Sequence, residues 1–478
     1  MSDRVQHSQQ QAPATEAPSR PEDISGLLEY TGKRSLDYLL GVAHRSVATQ
    51  CSSDDVRGLL GVPLSADGES HLTVIESLAQ AGEHATTAST GPRYFGFVVG
   101  GNAPAALAAD WLVSTWDQNC AVYVLSPFAA VVEEIAAGWL REIAGLPAAM
   151  SVGFTTGCQM ASFTGLAAAR HRVLERAGWD VEGNGLFGAP PIEVLIGDEA
   201  HYTIVMALRL LGLGGTRLRR IATDGQGRMR IDALRAALQS SRGPCIVCAQ
   251  AGNVNTGAFD PLSAVADAAG DRGAWLHVDG AFGLWAAASP EHAHLTRGIE
   301  RADSIATDGH KWLNVPYDCG IVFCADAAAH RAAMSLQAAY MIGSSGERDP
   351  HEFVPEESRR ARAVPVYAAL RSLGRSGLAR LVERCCRHAR RFAEGLRTAG
   401  HEVLNEVVLN QVLVAFGDPE RTRRTIAAIQ REGTCWCSGT VWQGRTAMRI
   451  SVSNWRTTEE DIERSLAAIL RTAAQCAS

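Results

Sequence analysis

The pattern of apolar and polar positions divides this chain. Between Glu22 and Gln80, apolar residues recur three and four apart, as in LLEYTGKRSLDYLLGVAHR, and predict helix with little core of its own. PRYFGFVVGG, Pro92 to Gly101, is aromatic and extended, and an Ala-rich helix follows Asn102. Val122 to Pro147 reads as a long helix whose start is marked by Ser126 and Pro127. Ser151 to Leu174 opens apolar, turns at Thr155-Thr156-Gly157 and runs on as Ala-rich helix. Pro191 to Gly214 predicts strand, loop and helix, and Thr216 to Gln239 a strand, a turn at Asp224-Gly225 and a helix. Pro244 to Leu262 predicts a buried strand and loop, with Asp260 and Pro261 opening the next helix. AWLHVDGAFG, Ala274 to Gly283, predicts a buried strand that delivers Asp279 to its C-terminal end.

SIATDGHKW, Ser304 to Trp312, is a short apolar segment ending on Lys311, and the strand-like LNVPYDCGIVFCAD follows and closes the sheet of this domain. Leu336 to Arg360 mixes Gly, Ser and charge without a core-forming pattern, which predicts a mobile loop suited to a lid. Beyond it, VERCCRHARRFAEGLRTAG predicts helix and VVLNQVLVAF strand. TAMRISVSNWRTTEEDIERSLAAIL predicts a strand ending near Asn454, a Thr/Glu cap and a final amphipathic helix. Residues 1–21, rich in Gln, Ala, Pro and Ser, predict a disordered leader.

Composition narrows the function classes. A net charge of −6 without a basic block argues against nucleic acid as a partner. No apolar run reaches membrane-spanning length, and the N-terminus lacks a charged-then-apolar signal. The twelve cysteines are scattered, and the pairs Cys385/Cys386 and Cys435/Cys437 are too close for ordinary bridges. Without a zinc-like double pair no metal site is expected, and reduced thiols in the cytoplasm are the simplest account.

The chemistry gathers around Lys311. Between His310 and the apolar pair Trp312-Leu313, burial would disfavour the ammonium form and free the amine as a nucleophile. Asp279 ends the strand before it. A lysine and a carboxylate at neighbouring strand ends are what pyridoxal 5'-phosphate (PLP) needs, one for the covalent bond and one to keep the pyridine nitrogen protonated.

This pair, with the motifs around it, resembles the group II amino-acid decarboxylases among the PLP enzymes, over about Pro92 to the C-terminus. The resemblance implies the α/β fold of the aspartate-aminotransferase type (fold type I). That fold has a mainly parallel, seven-stranded type of large-domain sheet, a smaller C-terminal α+β domain and an N-terminal helical segment. The expected division is a leader over 1–21, a dimerisation segment over 22–91, a PLP-binding domain over 92–365 and a small domain over 366–478. The resemblance further implies a homodimer. It makes Thr156, Gly157, Cys158 and Gln159 the phosphate loop, where helix N–H groups face the anion. The family usually has two glycines and a small hydroxyl residue there, which puts one hydroxyl contact in question. His201 is implied to stack on the cofactor ring, His310 to touch the cofactor, and Asn253 to reach the ring's phenolic oxygen in place of the family's usual threonine. Tyr340, 29 residues beyond Lys311, matches a loop tyrosine suited to protonate the carbanion. Arg449 is a candidate for the substrate carboxylate, and Phe95 lies in a segment near the substrate mouth.

The reading is a cytoplasmic carboxy-lyase that converts an L-amino acid to its amine and carbon dioxide. A carbon–carbon lyase, an aldolase or an aminotransferase on the same scaffold stays open at this point, as does a PLP-binding protein without catalysis. The aromatic stretch Tyr94 to Phe97 leans toward an apolar substrate side chain, and nothing else in the sequence selects the amino acid.

Overall fold

The computed structural model describes residues 24–49, 51–64, 66–336 and 346–477. They divide into two compact units. The first comprises the described residues up to Arg45 and Thr49–Thr87. Its helices are α1 (Ile24–Gly41), α2 (Ser53–Leu60) and α3 (His71–Ala85). Ser52 and Asp55 cap α2 reciprocally, each side chain taking the other's backbone N–H. α1 buries none of its residues, and Leu28, Leu36 and Leu40 are exposed.

The second unit holds Ser46–Ala48 and the chain from Ala88 onward. It begins with α4 (Pro104–Trp116) and α5 (Pro127–Ala144). α5 starts as its sequence predicts: Pro127 occupies the first turn and Ser126 Oγ accepts the Ala129 N–H at 3.4 Å. Its central sheet consists of β1 (Ser151–Thr155), β2 (Glu193–Gly197), β3 (Arg219–Ile221), β4 (Cys245–Gln250), β5 (Trp275–Asp279), β6 (Ser304–Asp308) and β7 (Gly320–Cys324), in the order β1-β7-β6-β5-β4-β2-β3. From β3 to β6 all neighbours run parallel, whereas β7 runs against both β6 and β1. The helices between these strands are α6 (Cys158–Glu175), the short α7 (Val181–Asn184), α8 (Tyr202–Leu210), α9 (Ile231–Ser240) and α10 (Leu262–Arg272), with α11 (Ala327–Met334) after β7.

The sheet is covered on both faces, which is why its strands read as nearly unbroken apolar runs. Along β4, Val247 and Ala249 join one apolar cluster with α10, while Ile246 and Cys248 join another with α6 and α8. Successive side chains of a strand point to opposite faces, so the split follows from the strand's period of two. Register does the rest. Gln250 pairs with Asp279, and Asp279 with Ala306, so the C-terminal ends of β4, β5 and β6 line up. In such sheets ligands bind in the crevice outside those ends.

The C-terminal part contains α12 (Ala363–Thr398), broken at Gly374 where φ is +60°, then β8 (Glu402–Val403), β9 (Gln411–Ala415), α13 (Pro419–Glu432), β10 (Ser438–Trp442), β11 (Arg445–Ser451) and α14 (Glu459–Gln475). Its strands form an antiparallel sheet in the order β10-β11-β9-β8. The cap expected on α14 is Thr458 with Asp461 rather than with a glutamate. The shorter acid closes the same pair of bonds, at 3.2 and 3.1 Å.

The stretch Leu336–Arg360 is a mobile loop only as an expectation. Residues 337–345, Tyr340 among them, lie outside the described residues, and the part from 346 on is pinned. Arg348 donates to Glu133 Oε1 at 2.9 Å, and the fully buried Arg359 pairs with Glu133 Oε2. Arg359 also donates to the carbonyls of Cys120 at 2.9 Å and Phe154 at 3.1 Å. These charges sit in the core because each has a partner, a property that the local charge-rich pattern hides.

Candidate active site

Lys311 is delivered by the turn that leaves β6. Gly309 permits it: a Cβ there would lie 2.8 Å from Cys319 Sγ. Behind it, Gly100 lets the Pro92–Gly101 segment press on the Lys311 backbone, where a Cβ would stand 1.9 Å from the Lys311 carbonyl oxygen. The side chain points at Asp308, with Nζ 2.9 Å from Oδ2. This corrects the expectation that burial alone sets the lysine's charge. Desolvation does favour the neutral amine, but Asp308, with Asp279 behind it, outweighs it and holds the ammonium form above its usual range.

α6 starts against the same carboxylate. The Cys158 N–H donates to Asp308 Oδ1 at 2.6 Å. A Cβ on Gly157 would come to 3.3 Å from His310 Cε1 and 3.5 Å from Asp308 Oδ1, so glycine keeps this corner open. Thr156 is half-buried in the preceding turn, and Gln159 lines the cavity described below. Burial first, and Asp279 second, push the Cys158 thiol well up, which keeps it neutral and makes it a donor.

Asp279 closes β5. Its Oδ1 accepts the Ala281 N–H at 3.1 Å and faces Cys158 Sγ at 3.5 Å. His201 precedes α8, with Nδ1 2.7 Å from Thr203 Oγ1. Desolvation pulls its pKa down, so the imidazole is neutral at physiological pH. His310 packs against Tyr317 with the rings tilted by 31° and centroids 4.3 Å apart, and its Nδ1 accepts the Cys319 N–H at 3.1 Å.

A cavity of about 260 Å³ joins these groups. Gly157, Cys158, Gln159, His201, Asp279, His310 and Lys311 all line it, with Thr203, Gln250, Val254, Phe282 and Asp308. A larger cavity beside Glu142 and Arg375 gathers no comparable set. The donor set fits PLP: an amine, a carboxylate at a strand end, an imidazole and the open N-terminus of an 18-residue helix.

Two expected contacts fall elsewhere. The Asn253 amide is engaged by protein on both sides, donating to the Glu199 carbonyl at 3.1 Å and accepting the N–H groups of Asn255 and Thr256 from its own loop. Gly252 and Val254 face the cavity instead. Phe95 is core, 1% exposed, and packs edge-on against Phe392 at 5.1 Å. Its neighbour Phe97 is exposed and stacks on Trp436. Arg449 is 8% exposed in β11, and desolvation pulls its pKa down to about 10. Its Nη1 is 3.4 Å from Asn255 Oδ1, its Nε has no partner, and among the described residues no carboxylate pairs with it. The sequence reading passed over Asp308, Gln250 and Thr203. The signal for Asp308 was present: a charged residue ending an apolar strand, three before the lysine.

A family model, the pyridoxal-dependent decarboxylase conserved domain, matches residues 54–417. The chain is 33% identical over 385 residues to the L-2,4-diaminobutyrate decarboxylase of Rhizobium meliloti (strain 1021), covering 77% of this chain and 75% of that one. It is 26% identical to the aromatic-L-amino-acid decarboxylase of Bacillus atrophaeus, over 89% and 90% of the two chains. The fold is that of the crystal structure of Oryza sativa TDC with PLP and tryptamine, with a TM-score of 0.89, 23% identity, and coverage of 96% of this chain and 99% of that one.

Proposed function

The chain belongs to the pyridoxal-dependent decarboxylase family, and on that premise we propose how its own residues serve the reaction. It is a carboxy-lyase that uses PLP to remove carbon dioxide from an amino acid. When bound, the cofactor supplies the electron sink for the pair left behind by the departing carboxylate. Lys311 is the covalent anchor. Asp279, one of whose oxygens takes the Ala281 N–H, would hold the proton on the pyridine nitrogen. Gly157, Cys158 and Gln159 would receive the phosphate, Thr156 shapes the turn before them, and His310 would close that end. His201 would face the ring as a neutral imidazole.

Arg449 is proposed to hold the substrate carboxylate and so to orient the bond that breaks. A buried guanidinium without a carboxylate partner among the described residues supports this role. Tyr340 is proposed to return the proton to the α-carbon, with His201 and Lys311 as the donors that the cavity itself presents. The observation that carries the whole reading is the convergence of Lys311, Asp279 and His201, from separate strand ends, on one cavity.

We also propose that residues 92–365 act as the cofactor-binding domain and 366–478 as the small domain carrying Arg449. A homodimer is supported by exposed apolar residues on α4 and α5, among them Trp111, Trp116, Phe128 and Ile135, and by the uncovered leucines of α1 within residues 22–91. The twelve cysteines are all free, which supports a reducing, cytoplasmic setting. Release of carbon dioxide and amine from a panel of L-amino acids that includes L-2,4-diaminobutyrate tests the activity. Amine-free turnover, or none on any member, would refute it. Sedimentation of the active enzyme as a monomer would refute the dimer.

A further inference from the structure

We propose that Asp308 is a placeholder for the cofactor's phosphate, a positioning residue that occupies the helix N–H and the place beside His310 which the arriving phosphate must take over. The proposal rests on Lys311 being the cofactor lysine. Three groups surround this one carboxylate, which is 3% exposed. The Cys158 N–H reaches Oδ1 at 2.6 Å. The Lys311 ammonium reaches Oδ2 at 2.9 Å. His310 is the third, close by without a hydrogen bond. Its Nδ1 accepts the Cys319 N–H, so the neutral ring carries its proton on Nε2, which lies 3.3 Å from Asp308 Oδ1.

A helix N-terminal N–H and an imidazole N–H are donors that a phosphate uses, whereas the Lys311 amine is reserved for the cofactor's aldehyde. Asp308 therefore occupies, with its own negative charge, the Cys158 N–H and the place beside His310 that the cofactor's anionic end requires. The other ionisable groups facing it are Asp279 from β5, His201 from the loop before α8, the Cys158 thiol of α6, and Tyr317 and Cys319 from the segment after Lys311. Among the described residues no further cation pairs with Asp308.

Two consequences follow for loading. Attachment condenses the neutral Lys311 amine with the cofactor's aldehyde and releases water, so the ammonium must first lose a proton, and Asp308 opposes that loss. A phosphate dianion entering beside an ionised carboxylate also meets like charge in a poorly solvated site. Asp308 keeps the lysine and the helix N-terminus in place for the cofactor, at the cost of slower entry.

The test uses the full-length protein stripped of cofactor, as wild type, Asp308→Asn and Asp308→Ser. Calorimetric titration with inorganic phosphate reads the donors alone. Rapid mixing with PLP, and separately with pyridoxal, reads attachment with and without the phosphate. Both variants should bind inorganic phosphate about tenfold tighter or more, and their gain in attachment rate should be larger for PLP than for pyridoxal. In the wild type itself, PLP should attach no faster than pyridoxal. Unchanged or weaker phosphate binding in the variants, or wild-type attachment markedly faster with PLP than with pyridoxal, overturns the proposal. Borohydride trapping on the wild type separates the two claims: an adduct on a peptide without Lys311 refutes the lysine assignment, whatever Asp308 does.

Discussion

The thiol of Cys158 stands 3.5 Å from Asp279 Oδ1, so the first residue of α6 touches the carboxylate that ends β5. The phosphate end and the pyridine end of the expected cofactor site are thereby tied through one residue. Because burial keeps the thiol neutral, it donates to Asp279 rather than repelling it.

Asp279→Ala should retain the covalent cofactor and lose about a hundredfold or more in kcat, the scale of removing one preorganised electrostatic partner. Lys311→Ala should lose the borohydride-trapped adduct altogether. Peptide mapping after reduction and single-turnover kinetics check the pair. An Asp279→Ala enzyme with wild-type kcat would remove Asp279 from the role.

Arg449→Met should separate stability from function. The guanidinium is buried with Nε unpartnered among the described residues, and replacing buried charge with apolar side chains of similar volume is often neutral or stabilising. The expected result is an unchanged or higher Tm together with a fall in kcat/KM of roughly tenfold or more, from the loss of a charge-assisted bond. Thermal melts and steady-state kinetics on the same preparation decide it. Wild-type kcat/KM would exclude Arg449 from substrate binding.

Tyr340→Phe removes one hydroxyl and keeps the ring. The variant should bind PLP normally and still release carbon dioxide, while amine formed per carbon dioxide falls and abortive transamination or aldehyde rises. The ratio of amine to carbon dioxide is the quantity to measure. A wild-type ratio with unchanged turnover would move the proton to His201.

Acid should destabilise the fold through two buried histidines. Desolvation brings His277 down to about 3 and His330 to about 4. Unfolded, each titrates near 6.5. Below that value the unfolded chain binds protons that the native chain refuses, so stability falls as pH falls. The loss is about 1.4 kcal/mol per pH unit for each histidine, or roughly 2 kcal/mol each by pH 5. His277 accounts for one of these slopes, and its Nδ1 lies 2.9 Å from Ser304 Oγ. Denaturant midpoints for the wild type and His277→Gln between pH 7 and 5 check this, and the variant should show the shallower decline. Equal slopes would refute the attribution.

Much of the molecule was legible from local pattern because local chemistry decides it. Ser126-Pro127 opens α5, the apolar runs become β4 to β7, and Asp279 ends its strand. Phe95 and Asn253 do not line the cavity, for one reason. A side chain's type shows what it can do, whereas its neighbours decide whether it is already engaged. Phe392 and Glu199, which engage them, lie outside the reach of any local sequence window.

By itself the sequence determined where strands and helices form and which residue types stand at their ends, because hydrophobic periodicity and caps act over a few residues. The tertiary structure decided which ends meet. β7 follows β6 in the chain yet lies between β6 and β1, antiparallel to both, an inner place rather than a closing edge, and that placement brings Thr155 and the start of α6 beside Asp308. The charge on Lys311 was settled in the same way. Its apolar sequence neighbours argue for a free amine, but the turn folds the side chain back onto Asp308, and a carboxylate at 2.9 Å outweighs desolvation.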